Sequence, residues 1–231
     1  MHILDLPNRS QDYLKALFDL QEWDGEGAPL TKLAEQVGQQ HSTASQAVKR
    51  LAAKGLVDHV PYKPIRLTDK GLELAIQMVR RHRLVETYLC RELGYSMDEV
   101  HEEAEILEHA VSDRFLQRIE EHMGFPQRDP HGDPIPNADG EFPQVETFSL
   151  GEAAEGSVVV VDRISDSDVA LLRHLEANSV VPGARLRVGH RPYPDLATFT
   201  VVGGSEVTLP ALSLSAIRCS TPAGDTQHNP H

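Results

Sequence analysis

Nine residues, His101-Glu102-Glu103-Ala104-Glu105-Ile106-Leu107-Glu108-His109, carry six side chains able to bind a metal ion. Read as helix, at about 100° per residue, His101, Glu105, Glu108 and His109 fall within an arc of about 100°. Val100, Ala104, Leu107 and Val111 form an apolar stripe beside them. Charged groups that border a buried face need a partner. The stretch alone supports two readings. One is a metal-binding face; the other is a solvated acidic face with incidental histidines, the usual fate of a charge run.

The whole chain narrows the chemistry. Its 231 residues leave room for one large domain or roughly two to three small ones. No run approaches the ~20 apolar residues of a membrane span. The opening Met1-His2-Ile3-Leu4-Asp5-Leu6-Pro7 has no basic region followed by an apolar one, so no signal peptide is expected. Cys90 and Cys219 lie far apart and form no CxxC pair, which suits a reducing cytoplasm and disfavours a thiolate zinc cluster. The formal net charge of −13 disfavours indiscriminate nucleic-acid binding and favours cations, while leaving room for a local basic surface. The chain has 12 histidines, but His228 and His231 sit in what reads as a loose tail.

The elements that must position such a cluster begin with a helix over 10–23. Ser10 is its expected N-cap, with Tyr13, Leu14, Leu17, Phe18 and Leu20 at helical spacing. Asp12 lies in the first turn, where an acid commonly does no more than favour the helix dipole. Gly25, Gly27 and Pro29 break this helix. Thr31 caps a short helix over 32–37, Gly38 turns the chain, and Ser42-Thr43-Ala44-Ser45-Gln46 starts another helix that stops at Gly55. Residues 56–60 and 65–68 read as strands joined by a turn at Pro61-Tyr62-Lys63-Pro64. Short helix, glycine turn, second helix and hairpin make a helix-turn-helix with a wing. Ser42, Thr43, Ser45 and Gln46 suit base edges in a major groove. Lys49, Arg50, Lys54, Lys63 and Arg66 suit phosphates. A winged helix used only for protein contacts is the other reading.

A long helix is expected over 72–93, with His82 and Glu86 one turn apart on one face and Arg80, Arg81 and Arg83 around them. Gly94 stops it. Tyr95-Ser96-Met97-Asp98 caps the next helix, expected to run unbroken to about Met123. Two long apolar-faced helices beside a small DNA-binding unit suggest a homodimer interface, and a two-fold dimer matches a pseudo-palindromic operator.

These residues resemble the diphtheria-toxin-repressor family of metal-dependent regulators. The resemblance is carried by the winged motif, then Met78 to Glu86, Val100 to Ala104, Glu108 to Asp113, and Asp133-Pro134-Ile135-Pro136. It covers most of the chain and is closest to the manganese-responsive, actinobacterial branch. It implies a primary metal site of Asp12, Glu105, Glu108 and His109. It also implies a second site of His82, Glu86 and His101, completed from the C-terminal domain, where Asp166 or Asp168 aligns. Iron-type members have Met at the position of Asp12 and Cys at that of Glu105. Oxygen donors at both suit Mn2+ better than thioether and thiolate do. Fe2+ stays open, with Zn2+ or Co2+ as substitutes in vitro.

Residues 125–155, rich in Pro, Gly and Asp, read as a linker. From Gly156, short β-rich runs over 158–161, 186–188, 197–202 and 206–209, with a helix over 168–176, suggest a small antiparallel barrel, by resemblance SH3-like. The expected fold is mainly α with small β parts. Its divisions are a winged helix-turn-helix over 1–75, a helical metal-binding and dimerisation domain over 76–128, a linker over 129–155, an SH3-like domain over 156–220 and a disordered tail over 221–231. The expected protein is a cytoplasmic Mn2+-dependent repressor of metal-uptake genes. It has double-stranded operator DNA and a second copy of itself as partners, and neither a membrane association nor an organic cofactor is expected. Rival readings are an iron-dependent regulator, a winged helix sensing an organic ligand, and a metalloenzyme. The last rests on the likeness of Glu105-Ile106-Leu107-Glu108-His109 to a reversed zinc-protease motif, in which Glu105 stands where His belongs.

Overall fold

A computed structural model describes residues 1–25, 27–60, 63–191 and 193–222. The chain divides into two compact units. The first comprises Met1–Val85, Ala104–Phe125 and Ile135–Phe142, and the second Glu86–Glu103, Pro126–Pro134 and the described residues from Pro143.

In the first unit, α1 (Asn8–Asp24) starts three residues earlier than the Ser10 cap suggests. Pro7 takes the N-cap position, where a missing N–H costs nothing. The helix ends at Gly25, whose φ of 73° is the left-handed region and whose N–H reaches Gln21 O at 2.8 Å. Next come α2 (Leu30–Gln36) and α3 (His41–Ala53), with Gly38 at φ 60° between them. Short strands β1 (Val57–Asp58) and β2 (Arg66–Leu67) pair antiparallel, Val57 opposite Leu67. Pro61 and Tyr62 of the expected wing turn lie outside the described residues. α4 (Asp69–Leu93) begins beside Leu56 so closely that a Cβ on Gly71 would stand 1.8 Å from the Leu56 carbonyl oxygen. One core holds Leu14 and Leu17 of α1, Leu33 of α2, Ala44, Val48 and Leu51 of α3, and Leu74 and Met78 of α4.

The unbroken helix expected up to Met123 is two helices, α5 (Val100–Leu107) and α6 (Asp113–His122). The Ser112 side chain caps α6, accepting from Phe115 N at 3.2 Å. The Arg81 guanidinium fills the break. It donates to Glu108 O at 3.0 Å and to Val111 O, and meets Asp113 at 2.5 Å. These contacts satisfy carbonyls that a continuous helix would have paired internally. Glu108 and His109 therefore stand on a tight turn after α5. Part of the expected linker is packed: the Phe142 ring stacks on Phe18, centroids 5.5 Å apart.

The second unit carries β3 (Phe148–Ser149), β4 (Val158–Ile164), α7 (Val169–Ala177), β5 (Arg185–Val188), β6 (Leu196–Val201), β7 (Glu206–Pro210) and β8 (Ile217–Ser220). All the strand pairs are antiparallel, in the order β3-β8-β4-β5-β6-β7. β3 and β8 are additions to the four strands expected from sequence. The β5 pattern is simple alternation, Leu186 and Val188 inward and Arg185 and Arg187 outward. Phe199, Val161, Leu209, Ile217 and Cys219 lie in its core. The chain is thus mainly helical with a small SH3-like β domain. Of the expected tail, only 221 and 222 are described.

Candidate metal centres

Within the first unit, Asp12, Glu108 and His109 bring one ligand atom each within 4.8 Å of one another. Asp12 shares its face of α1 with Lys15, three residues on, and that face meets the 105–109 segment, where Lys15 reaches Glu105 and Glu108. Asp12 Oδ1 lies 2.9 Å from His109 Nε2, and Glu108 Oε1 lies 3.8 Å from the same nitrogen. Such separations fit neighbouring donors on one ion with bonds of about 2.0–2.2 Å.

The direction of the His109 lone pair follows from hydrogen bonds. Gln11, buried on α1, donates from Nε2 to Leu6 O at 2.7 Å, which fixes its amide orientation. Its Oε1 then faces His109 Nδ1 at 2.9 Å and can only accept. His109 therefore carries a proton on Nδ1, and its Nε2 is the ring atom turned toward Asp12. Asp12 Oδ1 is buried and accepts no hydrogen bond from the described residues. A buried carboxylate oxygen against an imidazole nitrogen calls for a positive charge between them, a proton or a metal ion. Burial also raises the Asp12 carboxyl, against the opposing pull of His109. The two carboxylates and one imidazole fit a divalent cation of the harder kind.

Glu105 is placed next to this triad. Its Oε1 lies 2.5 Å from Lys15 Nζ, which also reaches both oxygens of Glu108 at 2.8 Å. His82 belongs to the same neighbourhood. Its Nδ1 touches Glu108 Oε2 and lies 3.0 Å from Lys15 Nζ. Burial alone would raise Glu108, but Lys15 and His82 outweigh it and bring it down to about 2. Sequence reading missed Lys15 and Gln11. Two polar residues on the buried side of an otherwise amphipathic helix were the available signal.

The second unit gathers Glu86, His101 and Asp166. His101 Nδ1 lies 3.4 Å from Glu86 Oε1 and 3.1 Å from Asp166 Oδ2. Asp168 is not brought there. Its Oδ1 accepts from Leu171 N at 3.0 Å and caps α7, so its carboxylate is committed to a helix end. Two unforeseen residues join instead. Glu86, Asp129 and His131 form a wholly buried group, with His131 Nδ1 3.6 Å from Glu86 Oε2. His131 Nε2 donates to Met97 O at 2.9 Å, and Asp129 Oδ1 accepts from the backbone of His131 and Asp133 at 2.9 Å. Burial would lower both histidines, but Glu86 and Asp166 outweigh it, pushing His101 up to about 11 and His131 up to about 10. Protons there balance the buried carboxylates, as a bound cation would. Asp129 and His131 were hidden in a segment read as linker. The loop is fixed by Gly132, φ 88°, where a Cβ would stand 1.8 Å from Asp162 O.

On α3 the solvent side carries Ser42, Thr43, Gln46, Lys49 and Arg50, all exposed, with Ser45 half-buried. Lys54, Lys63 and Arg66 are exposed too. Ala44, Ala47, Val48 and Leu51 take the buried side.

A winged helix-turn-helix, a helical segment with a buried carboxylate–histidine cluster, and an SH3-like domain define a metal-dependent DNA-binding regulator. Residues 5–65 match the model of the iron dependent repressor N-terminal DNA binding domain, and 68–137 its metal binding and dimerisation domain. Residues 148–221 match the FeoA domain. The iron-dependent repressor IdeR of Mycobacterium leprae is 31% identical over 226 residues, covering 93% of this chain and 97% of that protein. A solved manganese-dependent transcriptional repressor in complex with manganese is 45% identical with a TM-score of 0.86, covering 92% of this chain and 99% of its own. The structure of ScaR with bound Zn2+ is 32% identical with a TM-score of 0.77, covering 92% and 99%. The chain belongs to the iron-dependent and diphtheria toxin repressor family of metal-dependent transcriptional repressors, which are not enzymes. Among the described residues no helix is long and apolar enough to cross a membrane.

Proposed function

We propose that this chain is a manganese-dependent repressor that binds pseudo-palindromic operators as a homodimer and controls metal-uptake genes. The observation that carries the reading is the approach of Asp12 Oδ1 to His109 Nε2 at 2.9 Å. It joins the first helix of the DNA-binding domain to the turn after α5. A divalent cation bound there would supply positive charge and directed bonds to Asp12, Glu108 and His109, with Glu105 beside them. Asp12 in turn positions α1, and α1 shares its core with α3. Holding Asp12 therefore holds the exposed edge of α3 that carries Thr43, Gln46 and Lys49. Without a cation, like charges on Asp12, Glu105 and Glu108 oppose that arrangement. The effect on DNA affinity is limited by the difference in cation affinity between the two arrangements.

Oxygen and imidazole donors support Mn2+ over ions that prefer sulfur, and the manganese-dependent repressor at 45% identity points the same way. The iron-dependent relatives keep Fe2+ as the second reading. Glu86, His101, Asp129, His131 and Asp166 form the second candidate site. The test is operator binding by demetallated protein with and without Mn2+, and with Fe2+ under anaerobic conditions. A large gain with Mn2+ is expected. Equal affinity in all three conditions would sink the reading.

A further inference from the structure

Lys15 does what a metal ion would do. Its side chain is 6% exposed, yet its Nζ has four close contacts: Glu105 at 2.5 Å, the two oxygens of Glu108 at 2.8 Å each, and His82 Nδ1 at 3.0 Å. The three residues it touches are themselves a potential metal triad, with one ligand atom from each of His82, Glu105 and Glu108 within 4.8 Å of the others. That triad shares Glu108 with the Asp12–Glu108–His109 triad. Two adjacent subsites thus exist, and a tethered cation sits in one.

Charge agrees with this division. Asp12, Glu105 and Glu108 bring three negative charges, and Lys15 leaves two, which one divalent ion balances. Arg9 lies 3.4 Å from Asp12 Oδ2, but its side chain is 72% exposed and its charge is largely screened by water.

We propose that Lys15 is a built-in cation that fills the His82–Glu105–Glu108 subsite and limits this centre to one divalent ion, at Asp12, Glu108 and His109. The proposal rests on the metal-binding reading above. Lys15 would then set the ion count of the centre and hold Glu108 in position before the ion arrives.

The test titrates demetallated wild type, Lys15→Met and Lys15→Arg with Mn2+ alone, counting bound ions by equilibrium dialysis and recording electron paramagnetic resonance. Lys15→Met should bind one more Mn2+ per chain than wild type. It should also show the multiline spectrum of an exchange-coupled pair bridged by Glu108. Wild type and Lys15→Arg should show isolated ions only. Before Mn2+ is added, Lys15→Met should melt below wild type, and excess Mn2+ should close the gap. An unchanged ion count and spectrum in Lys15→Met would overturn the proposal. So would a coupled pair in wild type or Lys15→Arg. A Lys15→Met chain that stays unfolded in excess Mn2+ also overturns it, since the ammonium would then not be replaceable by an ion. Wild type that binds no Mn2+ rejects the underlying reading as well, a different outcome from wild type that binds while Lys15→Met gains nothing.

Discussion

Gln11 Oε1 stands 2.9 Å from His109 Nδ1, and its amide cannot turn over because Nε2 is bound to Leu6 O at 2.7 Å. A backbone carbonyl at the start of the chain thereby selects the tautomer of a histidine on the turn after α5. Partners of this kind change metal affinity by about 10–100-fold. Gln11→Leu should therefore weaken Mn2+ binding by roughly 10–100-fold in calorimetric titration, while Asp12 and Glu108 remain in place. It should also lower stability by about 1–3 kcal/mol, because the His109 N–H and the Leu6 carbonyl lose their partner. Unchanged affinity would remove Gln11 from the metal centre.

Donor chemistry makes a separate prediction. Replacing Asp12→Met together with Glu105→Cys exchanges two oxygen donors for thioether and thiolate. Competition titrations should then shift from Mn2+ toward Zn2+ or Fe2+. A double variant that keeps the wild-type order of preference shows that donor softness does not set selectivity here.

The exposed face of α3 separates base reading from phosphate binding. Gln46→Ala should cost about 1–3 kcal/mol on the cognate operator and relax discrimination at one base position. Lys49→Ala should weaken all sequences alike and flatten the salt dependence of binding by about 0.9 in the log–log slope. Both are read from operator titrations at several salt concentrations. Identical behaviour of the two variants would mean that α3 does not enter the major groove.

Cys219 gives a pH signature to the second unit. Burial in the sheet core pushes its thiol from an ordinary value of 9 up to about 12, with Asp162 adding to the effect. Between those values the unfolded chain releases a proton that the folded chain keeps. Stability is therefore fully present below about pH 9 and falls as pH rises toward about 12. Urea unfolding of Cys219→Ala should show a shallower alkaline decline than wild type. Parallel declines would mean that the thiol ionises in the folded state as it does in the unfolded one.

Much of this architecture is legible locally. Hydrophobic spacing marks α1, α3 and α4, alternation marks β5 and β7, and β-branched runs mark β4 and β6. The break between α5 and α6 was legible only in part. Ser112-Asp113 is a good N-cap pair, but the apolar stripe runs on past it, and the carbonyls freed by the break are satisfied by Arg81, which is distant in sequence. Asp129 and His131 escaped for a related reason. A loop has no periodicity, so nothing in its own residues announces that it is buried against Glu86.

The sequence by itself determined the donor types: carboxylates and imidazoles, with no cysteine among them, a set that suits hard cations. It also determined the winged helix-turn-helix, since short helix, glycine, polar helix start and hairpin are all local. Tertiary structure decided which donors meet. It brought Asp12 to His109, seated Lys15 between Glu105 and Glu108, committed Asp168 to a helix end, and set Asp129 and His131 beside Glu86. Periodicity fixes the face of a helix on which a residue lies. Only packing of one element on another fixes the few ångströms that make two side chains partners.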